Sequence, residues 1–125
     1  MSLINDIVEF VSPYLNGIIE AFKAFMEKVK GIVEKIITKI INFKNQVVDW
    51  FRNLPLIKGR HIPFITNKQE FKEMLKNAPV VEVGIFEGVY DEQTDEITDL
   101  RYIGAEEYDE KTESLLENED LVVLA

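Results

Sequence analysis

The sequence holds no cysteine and only one histidine, His61, in 125 residues. Without cysteine there is no disulfide framework, no thiolate metal site and no cysteine nucleophile. A lone histidine excludes histidine-rich metal clusters and histidine pairs, and its place beside Arg60 and Pro63 reads as structural or linker-like. No uncharged run approaches the ~18–20 residues of a spanning helix. The first residues carry Asp6 and Glu9 where a secretory leader is basic, so no signal peptide is expected. Membrane contact, if any, is expected along a surface; the expected location is cytoplasmic, inside an assembled particle, or membrane-peripheral.

Basic residues are scarce in the second half. Residues 61–125 hold five Lys/Arg against seventeen acids, whereas residues 1–60 hold nine against six. The overall charge of −9 is thus concentrated in one part, which suggests two parts with different neighbours. An acidic half lacks the clustered cations that a nucleic-acid backbone requires.

Apolar residues, by contrast, recur with a helical period from Leu3 to Leu54. They fall at Leu3/Ile4, Ile7/Val8, Phe10/Val11, Tyr14/Leu15, Ile18/Ile19, Phe22, Phe25/Met26 and Val29. They continue through Ile32/Val33, Ile36/Ile37, Ile40/Ile41, Phe43, Val47/Val48, Trp50/Phe51 and Leu54. The phase predicts one amphipathic helix over residues 1–55, bent near Pro13, stopped by Pro55, and ~75–80 Å long at 1.5 Å per residue. Ser12-Pro13 also fits an N-cap and first helical position, which would separate residues 2–11.

On a helical projection the apolar arc spans roughly 200°, too wide for a two-stranded coiled coil and suited to a bundle or a lipid surface. The interface expected on it comprises Ile18, Phe22, Phe25, Val29, Ile32, Ile36, Ile40, Phe43, Val47, Trp50 and Phe51. Lys28, Lys30, Lys35, Lys39 and Lys44 border the arc. That charge pattern resembles the lipid-surface helices of exchangeable apolipoproteins, and implies that these lysines reach headgroups.

Residues 56–60 read as a linker, and residues 61–125 as a small acidic module. His61–Ile65 suggests a strand, and capping-box spacing from Asn67 predicts a helix over 68–77. Strands are expected over 80–90 and 97–103 with a polar loop between, then a helix capped by Asp109 and a last strand at Leu121–Leu124. The order β-α-β-β-α-β resembles the ferredoxin-like arrangement, giving an α+β fold overall. Gly84, Gly88 and Gly104 sit in predicted strands and form no nucleotide-binding pattern.

The acids Asp91, Glu92, Asp95, Glu96 and Asp99 lack the spacing of an EF-hand and read as a solvated loop. No pair of acids is singled out for acid–base work. No catalytic residue, cofactor, metal, nucleic acid or small-molecule substrate is therefore expected. A module of ~65 residues has a radius of gyration near 11 Å and cannot cover so long a helix. The expectation is a non-catalytic assembly protein that packs with copies of itself or a helical partner, for example in a virion or another multi-subunit shell. The alternatives are a peripheral membrane protein with its helix among lipid headgroups, and an acidic inhibitor imitating nucleic acid through residues 87–120.

Overall fold

The computed structural model describes residues 8–9 and 12–124, with side chains from Tyr14 onward. The chain order is β1 (Val8–Glu9), α1 (Ser12–Val29), β2 (Glu34–Ile37), β3 (Ile40–Ile41), a π-helix (Phe43–Val48) and α2 (Asp49–Arg52). It continues with β4 (His61–Thr66), α3 (Gln69–Lys72), β5 (Val83–Asp91), β6 (Glu96–Ala105), β7 (Glu107–Tyr108), α4 (Glu110–Leu116) and β8 (Leu121–Leu124). The fold is mixed α+β with an N-terminal helix.

The expected 55-residue helix is corrected at both ends. Val8–Glu9 is a strand, and the helix starts at Ser12, at the Ser-Pro signal. The remainder of residues 2–11 lies outside the described residues. At the other end Lys30 takes φ 56° and Gly31 φ 74°. The Gly31 N–H donates to the Met26 carbonyl at 3.0 Å, and the Lys30 N–H to Glu27 at 3.3 Å. These two bonds form a Schellman motif, which satisfies the last carbonyls and ends the helix. Gly31 also meets another segment: a Cβ there would lie 2.3 Å from the Met74 carbonyl oxygen.

After Gly31 the chain is rich in β-branched residues. Seven of the ten residues 32–41 are Ile, Val or Thr, which suits a pleated strand better than a helix. The doublets Ile36/Ile37 and Ile40/Ile41 keep a helical spacing, yet in a strand they place one isoleucine on each face. Asn42 then caps the π-helix, its side chain accepting from the Asn45 N–H at 2.9 Å.

The main sheet has the order β1-β8-β4-β5-β6-β2. All its ladders are antiparallel except β2–β6. Residues 61–124 follow the expected order of elements with the short strand β7 added and the helix expected over 68–77 cut to Gln69–Lys72, and the ferredoxin-like arrangement is not formed. Strands β4, β5 and β6 are successive antiparallel neighbours and β8 returns beside β4, a Greek-key order. With four residues, α3 is too short to serve as a crossover to a parallel strand.

Each face of the sheet carries its own core. On one, Ile18, Ala21, Phe22 and Met26 of α1 join Phe71 and Leu75 over Phe64, Phe86, Tyr90 and Tyr102. Phe22 stacks on Phe71 at 3.9 Å between ring centroids and meets Phe86 edge-on at 4.9 Å. On the other face, Phe43, Val47 and Val48 of the π-helix and Phe51 of α2 pack on Ile65, Ile85, Val89 and Ile103. The first 55 residues are therefore no separate rod. They supply both edge strands, β1 and β2, and part of the covering of both faces.

Candidate interaction surface

The sequence-predicted interface residues separate into three groups. Ile18, Phe22, Phe43, Val47 and Phe51 are buried in the chain's own core. Phe25, Val29, Ile36 and Trp50 are half-buried. Ile32 and Ile40 are exposed, at 61% and 40%. The lysines expected to border one helical face lie on different elements: Lys28 in α1, Lys30 in the turn after it, Lys35 in β2, Lys39 between β2 and β3, and Lys44 in the π-helix. No single amphipathic face carries them. Among the described residues no helix is long and apolar enough to cross a membrane.

What the structure brings together is a free sheet edge flanked by exposed aliphatic side chains. Among the described residues β2 ends the sheet and is paired on one side only, with Glu34 opposite Arg101 and Ile37 opposite Gly104. The register carries on through β3, where Ile40 lies opposite Glu107 and Ile41 opposite Tyr108. Thr38 donates its N–H to the Gly104 carbonyl at 2.9 Å. Amide groups alternate along a strand. Glu34, Ile36 and Thr38 therefore turn their amides toward β6, and Lys35 and Ile37 turn theirs away from the sheet.

Beside this edge Ile37 is 59% exposed and Val80 fully exposed. Gly104 lets Ile37 and Val81 come close over the sheet: a Cβ there would stand 2.9 Å from Val81 Cγ1 and 3.3 Å from Ile37 Cδ1. The result is a shallow depression of about 470 Å³, lined by Ile37, Lys39, Val80, Val81, Glu82 and Glu106 among others. Thr38, Val80 and Val81 are residues near this edge that helical periodicity missed. The run of β-branched residues over 32–41 is a signal for Thr38, and no comparable signal marks Val80 or Val81.

Behind the edge Arg101 meets a buried carboxyl, that of Glu87. Arg101 Nε donates to Glu87 Oε1 at 2.7 Å, and its NH2 donates to the Gln46 carbonyl at 3.3 Å. The guanidinium stands 4.9 Å from the Trp50 ring centroid, within cation–π range. Glu87 is fully buried, and its Oε2 has no hydrogen-bond partner. Burial pushes the Glu87 carboxyl up to about 8, although Arg101 pulls the other way. Glu34 adds a further upward push from the edge strand.

A second charged cluster is structural. Arg60 grips Asp91 through Nε and NH2, each at 2.9 Å. The same carboxylate receives the N–H groups of Gln93 and Thr94 and so fixes the hairpin turn. The Arg60 hydrogen bond holds the Asp91 carboxyl below the usual carboxylate range despite burial. His61 accepts the Ile57 N–H on Nδ1 at 2.7 Å, and its Nε2 is 3.8 Å from Asp91. Among the described residues, no group of three or more His, Asp or Glu is placed to hold a metal ion.

The chain matches no protein-family model, no curated protein and no solved structure.

Proposed function

We propose that the chain is a non-catalytic assembly protein that associates with copies of itself by strand addition at β2, as a component of a multi-subunit particle such as a viral shell. The observation that carries this reading is the unpaired edge at Lys35 and Ile37, set among exposed Ile32, Ile37, Ile40 and Val80. A strand edge with outward backbone groups and aliphatic side chains beside it can pair with another chain. The helix stripe no longer serves as the contact surface, because Ile18 and Phe22 are consumed in the core.

A strand of this length buries less than the ~1,200 Å² of a standard interface, so the association is concentration-dependent. Light scattering from micromolar to millimolar concentration tests it. The mean mass rises above the 14.5 kDa of one chain. Ile37→Pro, which removes an outward N–H without removing a bond to β6, restores the single-chain mass. A single-chain mass at every concentration overturns the proposal.

A further inference from the structure

We propose that Lys72 and Tyr102 form a covalent capture site for a small neutral aldehyde, which Lys72 holds as an imine. The site stands independently of the assembly reading.

A cavity of about 390 Å³ opens between α3 and the start of β5, with Lys72 of α3, Gly84 of β5 and Tyr102 of β6 among its lining residues. Its volume suits a small-molecule site. The end of α3 is fixed: Phe71, next to Lys72, is stacked on Phe22 in the core, and the Lys72 N–H donates to the Lys68 carbonyl at 3.2 Å. Gly84 gives the Tyr102 hydroxyl its place, since a Cβ there would collide with that oxygen.

Both polar groups are unspent. Tyr102 is 3% exposed, yet among the described residues its hydroxyl has no hydrogen-bond partner, and it is not sealed off as Glu87 Oε2 is. Lys72 is half-buried, and among the described residues its amine has no ion pair, although Glu73 and Glu82 line the same cavity. The other half-buried lysines are partnered: Lys35 donates to the Val33 carbonyl at 3.5 Å, and Lys68 pairs with Glu70 and Asp120. Partial removal from water lowers the Lys72 amine below the usual lysine range. Its neutral, nucleophilic fraction is correspondingly larger.

The lining selects the ligand. The Glu73 and Glu82 carboxylates repel an anion, and the charged form of Lys72 repels a cation. A neutral aldehyde meets neither penalty and offers the amine an electrophilic carbon. The Lys72 nitrogen bonds to that carbon, and one proton moves from nitrogen to the carbonyl oxygen, giving a carbinolamine. Tyr102 protonates the hydroxyl, which departs as water. The phenolate then takes the remaining nitrogen proton, leaving a neutral imine and a restored phenol.

The full chain is treated with limiting propionaldehyde and cyanoborohydride, whose hydride reduces the imine carbon and traps a secondary amine. Peptide mass spectrometry follows each lysine. Burial alone would make Lys72 slower than the exposed Lys76. Lys72 is instead expected to react about threefold or more faster than Lys76, and to reach its plateau rate at a lower pH. Tyr102→Phe is expected to slow Lys72 by about threefold or more and leave Lys76 unchanged. Lys72→Arg removes the fast adduct. With glyoxylate, an anionic aldehyde, the preference for Lys72 is lost.

A Lys72 rate equal to or below that of Lys76 overturns the capture site. An unchanged Lys72 rate in Tyr102→Phe overturns the pairing of the two groups. A preference for Lys72 that persists with glyoxylate overturns the neutral ligand class.

Discussion

Arg101 reaches across from β6 to Glu87 on β5 and binds one carboxylate oxygen at 2.7 Å, leaving the other buried and without a partner. The pair is therefore only partly satisfied. Removing the carboxylate from water outweighs the attraction of the guanidinium, which is why the Glu87 proton is held up to about pH 8.

A pH dependence with a definite sign follows. Below the ordinary glutamate range both the folded and unfolded chains hold this proton, and the group adds nothing against stability. Between roughly pH 4.5 and 8 the unfolded chain has released it and the folded chain retains it, so stability falls as pH rises. The slope cannot exceed about 1.4 kcal/mol per pH unit for one proton. Asp91, with its carboxyl lowered, acts oppositely and at lower pH: its contribution is lost as acid protonates it. Urea unfolding at several pH values measures the slope. Glu87→Gln should flatten it above pH 5, and an unchanged slope would place the responsible proton elsewhere.

The helix terminus offers a paired prediction. Lys30 is a non-glycine residue at φ 56°, so Lys30→Gly should stabilise by about 0.5–1 kcal/mol. Gly31→Ala should have the opposite effect, since alanine is strained at φ 74° and its Cβ meets the Met74 carbonyl at 2.3 Å. That contact is with backbone, which cannot rotate away, so a loss of about 2–4 kcal/mol is expected. Thermal unfolding of the two variants checks both signs.

Phe22 and Ile32 were both expected on one interface, and the structure sends them to different fates. Phe22 is fully enclosed against Phe71 and Phe86, while Ile32 is 61% exposed. Phe22→Ala should cost about 3–5 kcal/mol in unfolding free energy. Ile32→Ser should change it by no more than about 0.5 kcal/mol. Comparable losses for the two would return Ile32 to the core.

Much of residues 61–124 was legible because its strands are bounded by turn residues and α4 by a cap, whereas α3 starts after Lys68 with no side-chain cap, not at a capping box on Asn67. Asp109 caps α4 as its position suggests, accepting the Thr112 N–H at 3.0 Å. The neighbour relations were not legible, because the same series of elements fits several sheet orders and only the short α3 distinguishes them. In the first half, periodicity misled for a specific reason. Ile36/Ile37 and Ile40/Ile41 satisfy a 3.6-residue period and a two-faced strand equally well. The deciding features were local: Gly31 as a helix stop and the β-branched run behind it. No 55-residue rod needs covering, because the helix spans only Ser12–Val29. Ile18, Phe22, Phe43, Val47 and Phe51 from the apolar stripe are buried in the two cores on either face of the sheet, while Ile32, Ile37 and Ile40 stay exposed. The Glu87–Arg101 pair had no sequence signature, since the two residues meet only through the β5–β6 register.

Arg101 provides the last and most discriminating prediction. Arg101→Met keeps an unbranched apolar stem against Trp50 but removes the charge and both donors, leaving Glu87 with no counter-ion. Breaking one partner of a buried pair costs about 3–5 kcal/mol when the survivor is ionised. Near pH 6 Glu87 can remain neutral, so the loss should be smaller there and grow toward pH 9. The double variant Glu87→Leu/Arg101→Met replaces both charges with apolar groups and should recover most of the loss at alkaline pH. Recovery in the double variant alone would show that the penalty comes from a stranded carboxylate. A loss that is equal at both pH values and persists in the double variant would assign it to the missing bond to Gln46 and the contact with Trp50.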